Sequence, residues 1–159
     1  MIDPEPDIAA HGLSPGDFAV LRRMAGTIIG ASAQYGVPGA DDIQIAAMLL
    51  KLAGGQHGDV IRAGVREFAA SCARSGGADG ITDADHQRLL REFATQRPEF
   101  SWRLLLFIAQ AYYQDERVIR SLGMQPRAPF PLGNKLEPSD WTLLDPVRSR
   151  PFSLDGTHK

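Results

Sequence analysis

The chain contains a single cysteine, Cys72, among its 159 residues. One cysteine cannot form an internal disulfide, and it cannot supply the cysteine clusters that bind structural zinc or iron–sulfur centres. Cys72 stands at an apolar position of a helical pattern. We therefore expect it to pack in the core and not to act as a nucleophile.

An excess of one charge is also missing, because 17 basic and 19 acidic residues give a formal net charge of −2. The two signs are interspersed, so the sequence has no basic patch of the kind that binds nucleic acid, and we expect no nucleic-acid partner. The longest apolar run covers residues 104–113 and is interrupted by Gln110. It is shorter than the roughly 20 residues of a transmembrane helix, so we expect no direct membrane span.

The start of the chain is acidic and carries Pro4 and Pro6. A secretory signal peptide begins instead with a positively charged segment, so the sequence predicts a cytoplasmic protein as encoded.

Signatures of catalysis are absent from the sequence. Gly26 and Gly30 lie on a predicted helix, where close packing explains them better than a dinucleotide-binding turn does. There is no phosphate-binding loop, no nucleophile elbow and no pair of histidines at metal-binding spacing. Asp79, Asp83 and Asp85 cluster, but their spacing suits helix capping and not a calcium-binding loop. We therefore expect no catalytic, cofactor-binding or metal-binding residues, and no enzymatic activity in this chain.

What the sequence does contain is apolar residues at helical spacing, almost without a break, up to Gly123. This pattern predicts an all-α fold, a compact bundle of about five to six helices. Ser14, Asp41, Thr82 and Asp115 are the expected N-terminal caps. The second helix is apolar nearly all round, so we expect it to be central. The predicted helices cover about residues 15–33, 42–53, 59–74, 83–97, 99–113 and 116–122.

The chain changes character after Gly123. Residues 1–123 are predicted to form the helical domain, and residues 124–159 a long irregular C-terminal arm of the same domain, with six prolines. Large apolar residues recur along the arm, and burying each is worth roughly 1.5–3 kcal/mol. The arm is therefore expected to pack on the body, on a second copy or on another protein.

Six arm residues are the candidates for partner binding. The segment 140–148 places acids and an arginine around an apolar centre, which is typical of an interface anchor. The alternative is that the same residues pack against this chain's own helices. The candidates are Phe130, Leu136, Trp141, Leu143, Leu144 and Arg148.

Three stretches of the chain resemble one known family. The first consists of Leu13-Ser-Pro, Leu21-Arg-Arg-Met-Ala-Gly-Thr-Ile-Ile and Val37-Pro-Gly-Ala-Asp. The second is Ile81-Thr-Asp-Ala-Asp-His-Gln-Arg-Leu-Leu. The third consists of Ala111-Tyr-Tyr-Gln-Asp and Leu122-Gly. On these residues, which span most of 13–133, the chain resembles the gluconate 2-dehydrogenase subunit 3 family. It departs from the family at Gly30, where proline is usual, and it carries no twin-arginine signal.

The resemblance implies a non-catalytic small subunit, or a dedicated maturation or export chaperone, of a large FAD-dependent sugar, polyol or alcohol dehydrogenase. Such complexes often include a cytochrome subunit. The FAD belongs to the large subunit, so this chain is expected to bind no cofactor itself. A signal-bearing partner would offer a second location, the periplasm, by co-export.

Two other functions are open on the sequence. One is a self-associating helical scaffold, a homodimer that exchanges its arms and has no flavoprotein partner. The other is a small enzyme with a pocket in the bundle core around Trp102, Tyr112, Tyr113 and His86. Aromatic residues at helical spacing more often belong to the core itself.

Overall fold

The computed structural model describes residues 7–56, 58–75, 80–126 and 141–148, which are helices, turns and one isolated β-bridge. The sequence-based prediction of an all-α fold is confirmed. Contacts divide the chain into two units, Met1–Pro126 and Arg127–Lys159. The first unit contains the 3-10 turn Ala9–His11 and helices α1 (Pro15–Ile28), α2 (Ile43–Ala53), α3 (Gly58–Arg74), α4 (Asp83–Gln96), α5 (Pro98–Tyr112) and α6 (Glu116–Ser121).

Three helices begin at the predicted caps. The Ser14 hydroxyl accepts from the Asp17 backbone N–H at 3.0 Å, and the Asp17 carboxylate accepts from the Ser14 N–H, which completes a capping box at α1. Thr82 caps α4 and Asp115 caps α6 in the same way, each side chain accepting one of the free N–H groups of the first turn.

The predicted cap of α2 is wrong by one residue. Asp42 and not Asp41 caps this helix, accepting from the Gln44 N–H at 3.0 Å. The Asp41 carbonyl instead accepts from Arg22 Nε at 2.6 Å, and its side chain lies against Gly26. A Cβ on Gly26 would lie 2.7 Å from the Asp41 carboxyl carbon. Gly26 is therefore closely packed, as predicted, and its neighbour is an aspartate side chain of the loop before α2.

Helix α1 ends at Ile28, five residues before its predicted end. Ile29 has extended backbone angles, and its carbonyl accepts from the Ala40 N–H at 2.8 Å. Ser32 and Val37 then bond to each other in both directions across a turn. The hydrogen bonds that a longer α1 would need are thus used by a closed loop between α1 and α2.

Helix α3 contacts α1, α2, α4 and α5. Helix α2 was predicted to be central, and it does pack against α3 and α5 and bury five residues. Helix α3, however, contacts four other helices and is therefore the more central of the two. On α3, Phe68 meets Phe93 edge to face, with ring centroids 5.3 Å apart, and Phe93 meets Phe100 in the same way at 5.6 Å. Cys72, also on α3, is buried as predicted, and burial raises the pKa of its thiol.

Gly123 ends α6 with φ of 74°, a conformation that favours glycine, as predicted. In the second unit, Trp141–Leu144 forms a 3-10 turn and Asp145–Arg148 a single α-turn, α7. The expectation of an irregular arm therefore does not hold for these eight residues. Pro146 is compatible with a helix here because it lies in the first turn, where no intrahelical N–H bond is lost.

Arg117 joins the start of α6 to the start of α2. Its guanidinium donates to Asp42 Oδ1 at 2.6 Å and to Asp115 Oδ2 at 2.8 Å, so one cation bridges two helix caps. The Arg117 guanidinium lowers the pKa of both carboxyl groups below their usual range. Because the Asp115 side chain is only 7% exposed, this bridge is less screened than a surface ion pair.

We expect Arg117→Met to lower the free energy of unfolding by about 1 kcal/mol at neutral pH, since the arginine itself is partly exposed. The measurement is chemical denaturation followed by circular dichroism. The control is Arg120→Met on the same helix, whose ion pair with Glu116 is 61% exposed on both sides and is expected to contribute almost nothing.

The lowered pKa values of Asp42 and Asp115 determine the pH below which the bridge no longer stabilises the protein. A carboxylate whose pKa is depressed by folding stabilises the protein above its ordinary pKa of 3.8 and ceases to do so as the pH falls through the folded value. The difference between wild type and Arg117→Met should therefore shrink below about pH 4. Equal stability of the two proteins at pH 7 would contradict the bridge.

Candidate functional site

The predicted partner-binding residues lie in the second unit. Phe130 and Leu136 fall outside the described residues. The backbones of Trp141 and Leu143 belong to the 3-10 turn, and that of Arg148 to α7. Leu144 ends the 3-10 turn with its side chain 42% exposed. The structure thus brings four of the six candidates into one stretch of two helical turns, and their role in binding stays a prediction.

A second surface lies on α5, in the first unit, and no partner-binding candidate was placed there from the sequence. Three residues of α5 and the residue that caps its C-terminal end follow one another at spacings of three or four, which puts them on one line: Trp102, Leu106, Ala109 and the cap, Tyr113. Leu105 lies beside this line. Trp102 is 61% exposed and Tyr113 is 54% exposed, and both leucines are also exposed. We call these five residues the α5 stripe.

The expectation that aromatic residues of this region belong to the core is wrong for Trp102 and Tyr113 and right for Tyr112. Tyr112 is buried and donates its hydroxyl to the Pro38 carbonyl at 3.1 Å, and burial raises its pKa. Helix α5 is apolar on both faces, but only one face can meet the bundle. Helical periodicity could have revealed the second face, since it predicts more apolar surface than one contact can cover.

Open grooves lie on both sides of α5. One groove, of about 410 Å³, lies between α4 and α5 and is lined by residues that include Leu90, Ala94 and Leu104. The other, also about 410 Å³, lies between α2 and α5 and is lined in part by Met48 and Phe107. A ridge between two grooves is the surface shape that packs against another helix.

His86 is the buried polar side chain of the described core, with only 2% of its surface exposed. Its Nδ1 lies 3.2 Å from the Thr27 hydroxyl, and that hydroxyl donates to the Arg23 carbonyl at 2.9 Å. Both hydrogen bonds can form together only if Nδ1 carries the proton and donates to Thr27. We assign this tautomer from the network, and it leaves Nε2 as an acceptor without a partner.

The surroundings of His86 favour its neutral form. The ring meets Phe68 edge-on, with centroids 5.5 Å apart. Burial lowers the pKa of His86, and the nearby Arg23 guanidinium lowers it further, while Asp83 acts weakly in the opposite direction. His86 was expected to face inward on α4, which is confirmed.

The four residues of the proposed core pocket do not come together. His86 and Tyr112 are buried, whereas Trp102 and Tyr113 are exposed on the α5 stripe. Among the described residues, no three His, Cys, Asp or Glu side chains are grouped so that they could hold a metal ion. Within the same residues, no helix has the length and apolar character needed to cross a bilayer.

The acids predicted to cap α4 have structural roles where they are described. Asp85 accepts from the Thr82 hydroxyl at 2.8 Å and from Arg88, which lowers its pKa. Asp83 pairs with Arg23 at 2.9 Å and so links α4 to α1. Asp79 lies outside the described residues.

The fold and these surfaces define the class of the protein: an all-α helical bundle whose described surface includes an exposed apolar helix face. Comparison with models of known families, with curated proteins and with solved structures finds no match for the chain.

Proposed function

We propose that this chain is a non-catalytic accessory subunit, or a dedicated maturation or export chaperone, of an FAD-dependent dehydrogenase that oxidises a sugar, polyol or alcohol. The FAD lies in the large partner subunit, and this chain contributes a binding surface. A cytochrome subunit is the further partner in complexes that contain one. The chain acts in the cytoplasm or leaves it bound to a signal-bearing partner.

The resemblance in three stretches supports this proposal, and the residues in those stretches have structural roles. Ser14 and Thr82 cap helices, and Asp115 caps α6 directly after the Tyr112-Tyr113 pair. These capping residues maintain the shape of the helical bundle. A chain of this kind serves a partner through its surface.

The arm is the observation on which the proposal depends. Residues 124–159 combine six prolines with ten large apolar side chains, and Leu144, whose side chain is described, is exposed. Proline lowers the entropy lost when an extended segment becomes ordered, which favours an arm that folds onto a partner. Trp141, Leu143, Leu144 and Arg148 are the proposed anchors for the flavoprotein.

Deleting the gene for this chain in its native host tests the proposed role. We expect the steady-state amount of one large FAD-binding protein to fall at least about tenfold, because an unassisted flavoprotein would be degraded or left immature. Quantitative mass spectrometry of the whole proteome gives the measurement without knowledge of the substrate. Unchanged levels and unchanged location of every FAD-binding dehydrogenase would contradict the proposal.

Complementation with variants of the full chain separates the arm from the body. Leu144→Asp places a charge at a proposed anchor and should fail to restore the flavoprotein, since a buried unpaired charge at an interface costs several kcal/mol. Arg74→Gln alters an exposed residue at the end of α3 and should restore it fully. If Leu144→Asp and Trp141→Ser each restored the flavoprotein fully, the arm would not be part of the interface.

A further inference from the structure

The α5 stripe is an apolar surface on the face of α5 opposite the core. The buried residues Phe100, Leu104 and Ile108 define the inner face, and Trp102, Leu106 and Tyr113 lie about half a turn away from it. The stripe runs for about 16 Å along the helix at 1.5 Å per residue. Its exposed apolar area is on the order of 450 Å², as large as the biggest patch on a typical soluble monomer.

We propose that the α5 stripe is a homodimer interface, in which α5 of one chain packs antiparallel against α5 of a second copy. This inference goes beyond the proposed function, and it involves a different surface from the arm. Each copy buries its stripe on the two-fold axis.

The order of side chains along the stripe is self-complementary. A two-fold axis that passes between positions 107 and 108 places Trp102 opposite Tyr113 of the partner subunit and Leu106 opposite Ala109 of the partner subunit. Near the axis, Leu106 thus meets the small side chain of alanine, and each end of the stripe pairs two aromatic rings. A two-fold interface requires that one patch fit a copy of itself, and this sequence of sizes satisfies that requirement.

The area of the stripe matches what a stable dimer needs. A standard interface buries about 800 Å² on each partner, and a little over half of that is apolar. The stripe alone supplies about 450 Å² of apolar surface, and the rims of the two bordering grooves supply the polar remainder. Lys51 and Gln110 on one side and Gln87 and Arg91 on the other line those grooves.

Charge does not oppose the pairing. The five residues of the stripe are uncharged, and Arg103 lies at its edge. In the antiparallel arrangement the edge of α5 near Arg103 faces the edge near Gln110 of the partner subunit, which is neutral. Like charges on α5 are therefore not brought together at the axis.

The test is the mass of the purified full chain in solution, measured by sedimentation or light scattering over a dilution series from about 1 to about 100 μM. We expect twice the 17.3 kDa of the chain at the upper end of the series. Leu106→Glu should weaken the dimer at least about 100-fold, because two symmetry-related carboxylates would be buried without partners. Leu106→Ala should weaken it by about tenfold through lost contact area alone.

Leu122→Glu is the matched control, because Leu122 is exposed to nearly the same fraction as Leu106 but lies outside α5. It should leave the dimer intact. Circular dichroism spectra should be unchanged in all these variants, since each alters a side chain that is exposed in the single chain. The melting temperature should be unchanged at concentrations low enough for every protein to be monomeric.

Two results would overturn the inference. One is a wild-type chain that stays monomeric over the whole series, which would show that a second copy does not cover the stripe. The other is a dimer whose dissociation constant is the same in wild type and Leu106→Glu. The purified chain alone is measured, with no flavoprotein, so failure here leaves the proposed accessory function standing.

Discussion

Replacing Gly64 with alanine is expected to lower the free energy of unfolding by about 3 kcal/mol, at the upper end of the usual effect of overpacking a core. Gly64 is buried on α3 where α5 crosses it, and a Cβ at this position would overlap the ring of Phe100. Phe100 is itself held edge-on against Phe93, so the ring has little freedom to move. The steric effect outweighs the gain of about 1 kcal/mol that alanine brings to a helix.

Chemical denaturation of two further variants makes this prediction specific. Gly16→Ala also replaces a helical glycine, but its Cβ would meet only the Ser14 hydroxyl at 3.9 Å, so it should be neutral or slightly stabilising. Phe100→Leu should recover part of the loss when combined with Gly64→Ala, because the smaller side chain makes room. If Gly64→Ala were as stable as Gly16→Ala, the close approach of α3 and α5 would be wrong.

Acidification between pH 7 and 5 is expected to destabilise the protein, with His86 as a main cause. Folding lowers the pKa of His86, so the unfolded chain takes up a proton below its ordinary pKa of 6.5 while the folded chain remains neutral. Stability is then complete above pH 6.5 and falls as the pH drops from there toward the folded value. For one proton the slope cannot exceed about 1.4 kcal/mol per pH unit.

His86→Leu should flatten this pH dependence. The substitution removes the titrating group and also the Nε2 acceptor that has no partner, so stability at pH 7.5 should be unchanged or higher. Free energies of unfolding at pH 7.5, 6.5 and 5.5 provide the measurement. Phe93→Leu is the control, because Phe93 lies on the same helix and also contacts Phe68 but does not titrate. An equal pH slope in wild type and His86→Leu would show that other groups cause the acid sensitivity.

The sequence predicted those features that depend on local chemistry. Ser14, Thr82 and Asp115 are caps because their side-chain oxygens reach N–H groups two or three residues away, which is a matter of spacing alone. Gly123 ends α6 because it can adopt a positive φ. The burial of Cys72 and the inward position of His86 follow from helical period.

Features set by distant contacts were missed. The early end of α1 depends on a hydrogen bond from Ala40 to Ile29, and the value of Gly64 depends on Phe100, which is 36 positions later. Periodicity cannot say which of two apolar faces meets the bundle, so Trp102 and Tyr113 were expected in the core although they are exposed. The resemblance suggested a partner, but its motifs are caps and turns and therefore identified no surface.

The most direct test of the proposed function is affinity purification of the full tagged chain from its native host, with an absorbance spectrum and mass spectrometry of the eluate. The account predicts co-elution of a large polypeptide with flavin bands near ~450 nm, since the cofactor belongs to the partner. A colourless eluate that contains only this chain would contradict the account of a constitutive complex with a flavoprotein.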